Sequence, residues 1–154
     1  MIKYIIAGLL LCISTIAIAQ KDNKKYRDIR GVSFVRVVDG DTIVVNIRGA
    51  HPAFGKELRV RIADIDAPEM RTSNECEKRL AFRAKRHVER FFENAKFVHL
   101  IAPKRGNFFR LIADVKGVKF GSKAEYLADS LLRKNLAVRY RDRNRTDWCE
   151  VETR

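Results

Sequence analysis

The chain has few of the residues that build metal clusters and dense disulfide frameworks. It has three histidines, His51, His87 and His99, with no ligand-like spacing between them, which counts against a histidine-bound metal site. Three cysteines spread over 154 residues, without clustered histidine, are poor material for a zinc site. Long apolar runs are also missing. The longest, Tyr4 to Ile16, is shorter than the roughly 20 apolar residues a spanning helix needs. Acids are scarce, with 19 Asp and Glu against 32 Lys and Arg, so the formal net charge is +13. That excess opposes compaction and sets up a long-range field attractive to polyanions, nucleic acid and anionic membrane above all. No internal repeat and no interdomain linker interrupts the chain, which is the length of one domain.

Against these absences, the first 19 residues stand apart. Lys3 precedes the apolar run, and Ala17-Ile18-Ala19 follows it, the order of a secretory signal peptide with an A-x-A cleavage site. An uncleaved anchor and a lipid-modified Cys12 are the competing readings, the second disfavoured by bulky Leu11. The expected mature chain begins near Gln20, carries no stable membrane association and keeps a net charge of +12, since Lys3 is the only charge removed. Cleavage leaves Cys76 and Cys149, an even count in a chain read as exported to the periplasm or outside the cell. A disulfide between them is the expected use.

Residues 20–30 are polar and charged and read as a loose arm, ahead of a single domain over 31–154. Val32 to Val38 and Ile43 to Ile47, on either side of Asp39-Gly40, read as a hairpin. Gly49 to Gly55, with Pro52, reads as a loop. Leu58, Val60 and Ile62 alternate with Arg59, Arg61 and Ala63, a third strand ending at Ala67-Pro68. Ser73 or Asn74 can cap a helix to about Asn94, whose apolar stripe is Leu80, Ala84, Val88, Phe91 and Ala95. Strands follow over 97–101 and 108–115, separated by a Pro103–Asn107 loop. Ser122 to Glu125 has the form of a capping box opening a second helix, and Ala137 to Tyr140 reads as a short extended piece before a charged tail. The expected class is α+β, predominantly β: a five-stranded OB-type barrel with two to three packed helices.

Two acidic clusters sit at strand ends, Asp39-Gly40-Asp41-Thr42 and Asp64-Ile65-Asp66-Ala67-Pro68-Glu69. Singly, the first fits a hairpin turn and the second a strand terminator. Together, in so basic a chain, they concentrate negative potential of the kind a hard cation such as Ca²⁺ neutralises with carboxylate and carbonyl oxygens. Arg61 lies five residues before Asp66, and Arg110 stands within an otherwise apolar run. Each is either a structural ion pair or a bidentate phosphate donor.

The segments VVDGDTIVV, RIADIDAPE and FRLIADV, in that order, resemble the three active-site segments of the staphylococcal nuclease family, over about Val32 to Tyr140. The resemblance implies Asp41 and Asp66 as calcium carboxylates, with the Ala67 carbonyl as a further ligand where the family often has Thr. It implies Glu69 as the residue that orients or deprotonates the attacking water, and Arg61 and Arg110 as donors to the scissile phosphate. It also implies hydrolysis of DNA and RNA to 3′-phosphate ends, with little sequence preference. The chain departs from the family at Phe109, commonly Gly, and at Phe108, where a Tyr can meet a terminal phosphate. Asp64 is an extra acid, and the Cys76 and Trp148-Cys149 pair fits an exported subgroup. Single strands are the expected partner, bound through backbone phosphates, by a monomer. Phe108, Phe109 and Tyr140 are either stacking platforms or core. The competing readings are a non-catalytic nucleic-acid-binding OB-fold module and a cationic membrane-active protein; the latter leaves both acidic clusters unexplained.

Overall fold

The computed structural model of the chain describes residues 26–141 and 146–152. The expected signal peptide and residues 20–25 of the arm lie outside them. The rest of the arm is tied down: the Tyr26 amide donates to the Pro103 carbonyl at 2.7 Å, and Ile29–Arg30 forms strand β1. Two residues later β2, Ser33–Val37, continues the same run and pairs antiparallel with β3, Thr42–Asn46. Gly31 between β1 and β2 has φ 67°, a bend that glycine adopts without steric cost.

Four residues expected in a loop form a short helix, α1 (Pro52–Gly55), with proline in the first turn and His51 as cap. Next come β4 (Leu58–Ile62), β5 (Ile65–Asp66) and the long helix α2 (Glu75–Asn94). Asn74 caps α2 by accepting from the Glu77 amide, and Glu75 and Glu77 complement its positive end. Leu80, Ala84, Val88 and Phe91 are buried as their spacing predicts, with Ala81 and Phe92 widening the stripe.

β6 (Phe97–Arg105) is nearly twice the expected length, because a register shift between Ile101 and Lys104 carries the strand through Pro103. β7 (Leu111–Val118) starts later than expected. Arg110, read as a strand residue, precedes it, because Phe108 and Phe109 both have positive φ and belong to the turn. β8 (Glu125–Tyr126) pairs with β7 and leads directly into α3 (Leu127–Arg133). The expected capping box therefore does not form. Glu125 is used in the β7 ladder, and its side chain is ion-paired with Lys119 and Arg133. β9 (Val138–Arg139) pairs with β5, and the charged tail closes with α4 (Trp148–Glu152). The described residues thus hold four helices rather than two to three.

The main sheet runs β1-β6-β7-β4-β3-β2, with β4 and β7 parallel and its other pairs antiparallel. It curls, so that β1 and β2, consecutive in sequence, stand at the two ends of the path. The core fills the curl and the face under α2 and α3. Ile43, Val45, Val60, Ile62, Leu100 and Val115 from strands meet Leu80, Val88, Leu127 and Leu131 from helices. Cys76 at the start of α2 and Cys149 in α4 are joined in a disulfide, Cα atoms 5.2 Å apart, and Trp148 beside it is buried. No helix among the described residues is long and apolar enough to cross a membrane.

Candidate active site

Strand register brings the two acidic clusters to one place. Thr42 lies opposite Arg61 across β3 and β4, so Asp41, one residue earlier, reaches the Arg61 side chain. Arg61 Nη1 donates to Asp41 Oδ2 at 2.7 Å and Nη2 to Asp66 Oδ1 at 3.0 Å. One guanidinium thus bridges carboxylates from two strand ends. Asp41 is buried; Oδ1 accepts from the Thr42 hydroxyl at 2.9 Å, and Oδ2 also accepts from the Ala67 amide at 3.3 Å.

Gly40 makes this approach possible. Its φ is not left-handed, so the turn itself does not demand glycine. A Cβ there would lie 2.7 Å from Ala67 Cβ and 2.9 Å from Ala84 Cβ, closer than side chains pack. The glycine of the Asp-Gly pair lets the loop press against Ala67 and α2, and so seats Asp41 within reach of the Ala67 amide.

Burial is the main influence on Asp41 and pushes its carboxyl from 3.8 up to about 7; Arg61 opposes this, and neighbouring Asp39 adds to it. Burial likewise disfavours the charged Arg61, but Asp41 and Asp66 outweigh it and hold the guanidinium above its ordinary value. Glu69 is raised by partial burial, then by Asp39, Asp66 and Glu77, against Arg61. It is therefore within electrostatic reach of both clusters. The side chain is exposed, and the backbone amide donates to Glu77 Oε1 at 3.2 Å.

Sequence reasoning missed Glu77. It is buried, accepts from the Thr72 hydroxyl at 2.7 Å and from the Glu69 amide, and so ties the loop carrying Glu69 to the first turn of α2. A glutamate in a helix's first turn reads as dipole complement. The extra signal was Thr72, five residues before it, across a loop with Pro68 at its start.

Arg110 joins Arg61 by a different route. The parallel β4–β7 register sets Arg61 beside Ile112, and Arg110 lies two residues earlier, on the same face. Both line a cleft of about 550 Å³, with Asp64, Lys104, Arg105 and Tyr140. Arg110 Nε is buried with no hydrogen-bond partner among the described residues, a donor that an anion entering the cleft would satisfy. The Arg61 guanidinium carbon lies 6.0 Å from the centre of the Tyr140 ring. Phe108, Phe109 and Tyr140 are exposed, not core.

Of the residues singled out from sequence, Asp41, Arg61, Asp66 and Ala67 are in direct contact. Arg110 shares the cleft with Arg61, and Glu69 is coupled through charge. No group of three or more His, Cys, Asp or Glu among the described residues stands ready to hold a metal. Asp41 and Asp66 present hard carboxylate oxygens to the same guanidinium, and burial is the main reason that the Asp41 carboxyl stays raised. No family model and no curated protein matches the chain.

Proposed function

We propose that the chain is an exported, calcium-dependent phosphodiesterase of the staphylococcal nuclease type, hydrolysing DNA and RNA with a preference for single strands. The observation that carries this reading is that one guanidinium, Arg61, binds the carboxylates of Asp41 and Asp66 and also lines a cleft with Arg110, whose Nε is buried without a hydrogen-bond partner among the described residues.

The strand order supports an OB-type barrel as its platform. With β1 and β2 counted as one strand bent at Gly31, five strands pair in the order 1-2-3-5-4-1, the 3–5 pair being parallel. The β2–β3 and β6–β7 loops, which carry Asp41 and Arg110, are the two loops through which that fold meets oligonucleotides. The disulfide suits an oxidising compartment, periplasmic or extracellular.

Asp41 and Asp66, with the Ala67 carbonyl, would hold a calcium ion, whose chemistry there would be that of a Lewis acid toward a phosphate oxygen. Arg61 supplies one set of guanidinium donors to the phosphate. Arg110 supplies the second, and together they meet the oxygens on which charge grows in the transition state. Glu69 orients water in line with the leaving oxygen and takes its proton; partial burial raises its carboxyl and so makes it a stronger base than a free one. No step needs a 2′-hydroxyl, so DNA and RNA are both substrates. The protein acts as a monomer.

A second reading, a non-catalytic nucleic-acid-binding barrel, is favoured by one observation: Arg61 spans the very carboxylates that the metal would join. One experiment separates the two. Purified protein is incubated with denatured DNA, with calcium and with chelator. Calcium-dependent shortening is expected, and Glu69→Ala lowers turnover by about 10²–10⁴-fold while DNA binding persists. A wild type that retards DNA on a gel and never shortens it decides for the binding module.

A further inference from the structure

The arginine cleft continues into a second cavity. Arg105 and Arg110 line both the cleft and a smaller neighbour of about 200 Å³. The smaller one is walled by Phe54 and Phe109, with Ile47 and Leu111 among its lining. These two phenylalanines leave 59% and 56% of their surface exposed. Their ring centres are 6.0 Å apart, with planes inclined by 31°. His51 extends the row, its ring centre 5.8 Å from that of Phe54.

Local structure holds these apolar rings outward. Phe54 rides on α1, which His51 caps by accepting from the Ala53 amide at 3.2 Å. Phe108 and Phe109 are consecutive residues with φ of 55° and 57°, a conformation costly for bulky side chains. The turn is closed by the Gly106 amide donating to the Arg110 carbonyl at 2.7 Å. Backbone strain of this kind persists where it aims a side chain at a use.

We propose that the Phe109–Phe54 row is a stacking subsite for one or two unpaired nucleobases of a strand whose phosphate lies in the arginine cleft. The inference rests on the nuclease reading and extends it. Its occupant follows from charge and continuity. The Arg105 guanidinium carbon is 5.6 Å from the centre of the Phe109 ring, and Lys56 and Arg59 line a further pocket that shares Phe54 and Phe109 with the first. Aromatic faces alternating with cations match the alternation of bases and phosphates in a single strand. A membrane surface asks instead for one unbroken apolar face, which Glu57 and the interleaved cations interrupt. A second copy of a chain with net charge +13 would bring like charge to the same rim.

The test is made in chelator, so that nothing is cut. Fluorescein-labelled oligothymidylates of 3 and 12 nucleotides are titrated, by anisotropy, with the wild type, Phe54→Ala/Phe109→Ala and Phe54→Trp/Phe109→Trp. The expected result is a loss of about tenfold or more in 12-mer affinity for the alanine pair, recovery with tryptophan, and trimer binding within about twofold of wild type. Should the alanine pair fail to fold, each single alanine variant is read by the same ratio of lengths. Equal binding of the 12-mer by wild type and the alanine pair overturns the subsite, as does an equal loss at both lengths. So does capture of wild type alone by phosphatidylserine vesicles with DNA binding unchanged, which assigns the rings to a membrane. If calcium produces no cleavage yet the length-dependent loss remains, the subsite stands and hydrolysis falls.

Discussion

At Asp41, function and stability pull in opposite directions. Its carboxylate is buried, shares one guanidinium with Asp66 and lies near Asp39, so the folded chain resists its charge. The folded pKa of about 7 exceeds the ordinary 3.8. A group raised in this way contributes stability below its unfolded pKa and loses that contribution as pH rises through the folded value. In chelator, the wild type is therefore expected to gain stability from Asp41 as pH falls from 8 toward 5. Asp41→Asn keeps the shape and removes the charge. It should be more stable than wild type at pH 8, by on the order of 1–3 kcal/mol, and the advantage should shrink by pH 5. His87, lowered first by burial and then by Lys134 and Arg90, works in the opposite sense, its contribution being lost as pH falls. Because it is common to both proteins, it cancels in the difference. Urea melts at the two pH values measure the effect. On the proposed reading, the same variant should lose about 100-fold or more in calcium-dependent turnover, because a carboxylate assigned to the metal would be gone. A variant that is both destabilised at pH 8 and fully active would overturn the assignment of Asp41.

At the scale of elements, the hairpin tip is held by contact rather than by turn conformation. Gly40→Ala leaves the backbone permitted but drives a methyl into Ala67 and Ala84. Overpacking of this kind costs about 1–3 kcal/mol. Activity should fall further than stability accounts for, because Asp41 moves with the loop. Ala67→Gly beside it removes the nearer clash at 2.7 Å and leaves the one at 2.9 Å. The double variant should recover part of both losses, and a double-mutant cycle of denaturant midpoints and turnover reads the coupling. This contact marks the limit of what local sequence declares. Asp41, Asp66 and Arg61 were legible because each lies within a few residues of a strand end, and alternation in 58–62 set the facing of Arg61. The stripe of α2 was legible from its periodicity. Features set by tertiary pairing were not. Glu125 looked like a capping residue until β8 paired with β7, and Pro103 looked like a loop until a bulge let β6 pass through it. Phe108-Phe109 reads as strand by propensity, whereas the turn forces both into positive φ and leaves Arg110 ahead of β7, in the lining of the cleft.

On the scale of the whole molecule, the charged ring and the disulfide belong to different parts. Arg61 and Asp66 lie in β4 and β5, and Asp41 immediately precedes β3. The Cys76–Cys149 bond instead fastens α4 to the start of α2, closing 73 residues of chain, with Trp148 and Val151 buried beneath it. Constraining so long a loop is worth about 4 kcal/mol in the chain-entropy model. Native contacts of α4 with α2 persist without the bond, so the measured loss should be smaller. The Cys76→Ser/Cys149→Ser variant is expected to lose roughly 2–4 kcal/mol, seen as a fall of about 10 °C in Tm. Because strand pairing holds Arg61 and Asp66 while Glu77, next to Cys76, holds the Glu69 loop, its turnover at 15 °C, well below unfolding, should fall by less than about tenfold, far less than for Glu69→Ala. Tryptophan emission from Trp148 supplies the local readout. It should shift to the red in the variant before the far-ultraviolet signal of the sheet is lost, since α4 is the element freed first. If emission and sheet signal instead fall together at the wild-type Tm, the bond contributes neither stability nor local anchoring, and α4 is held by its packing alone.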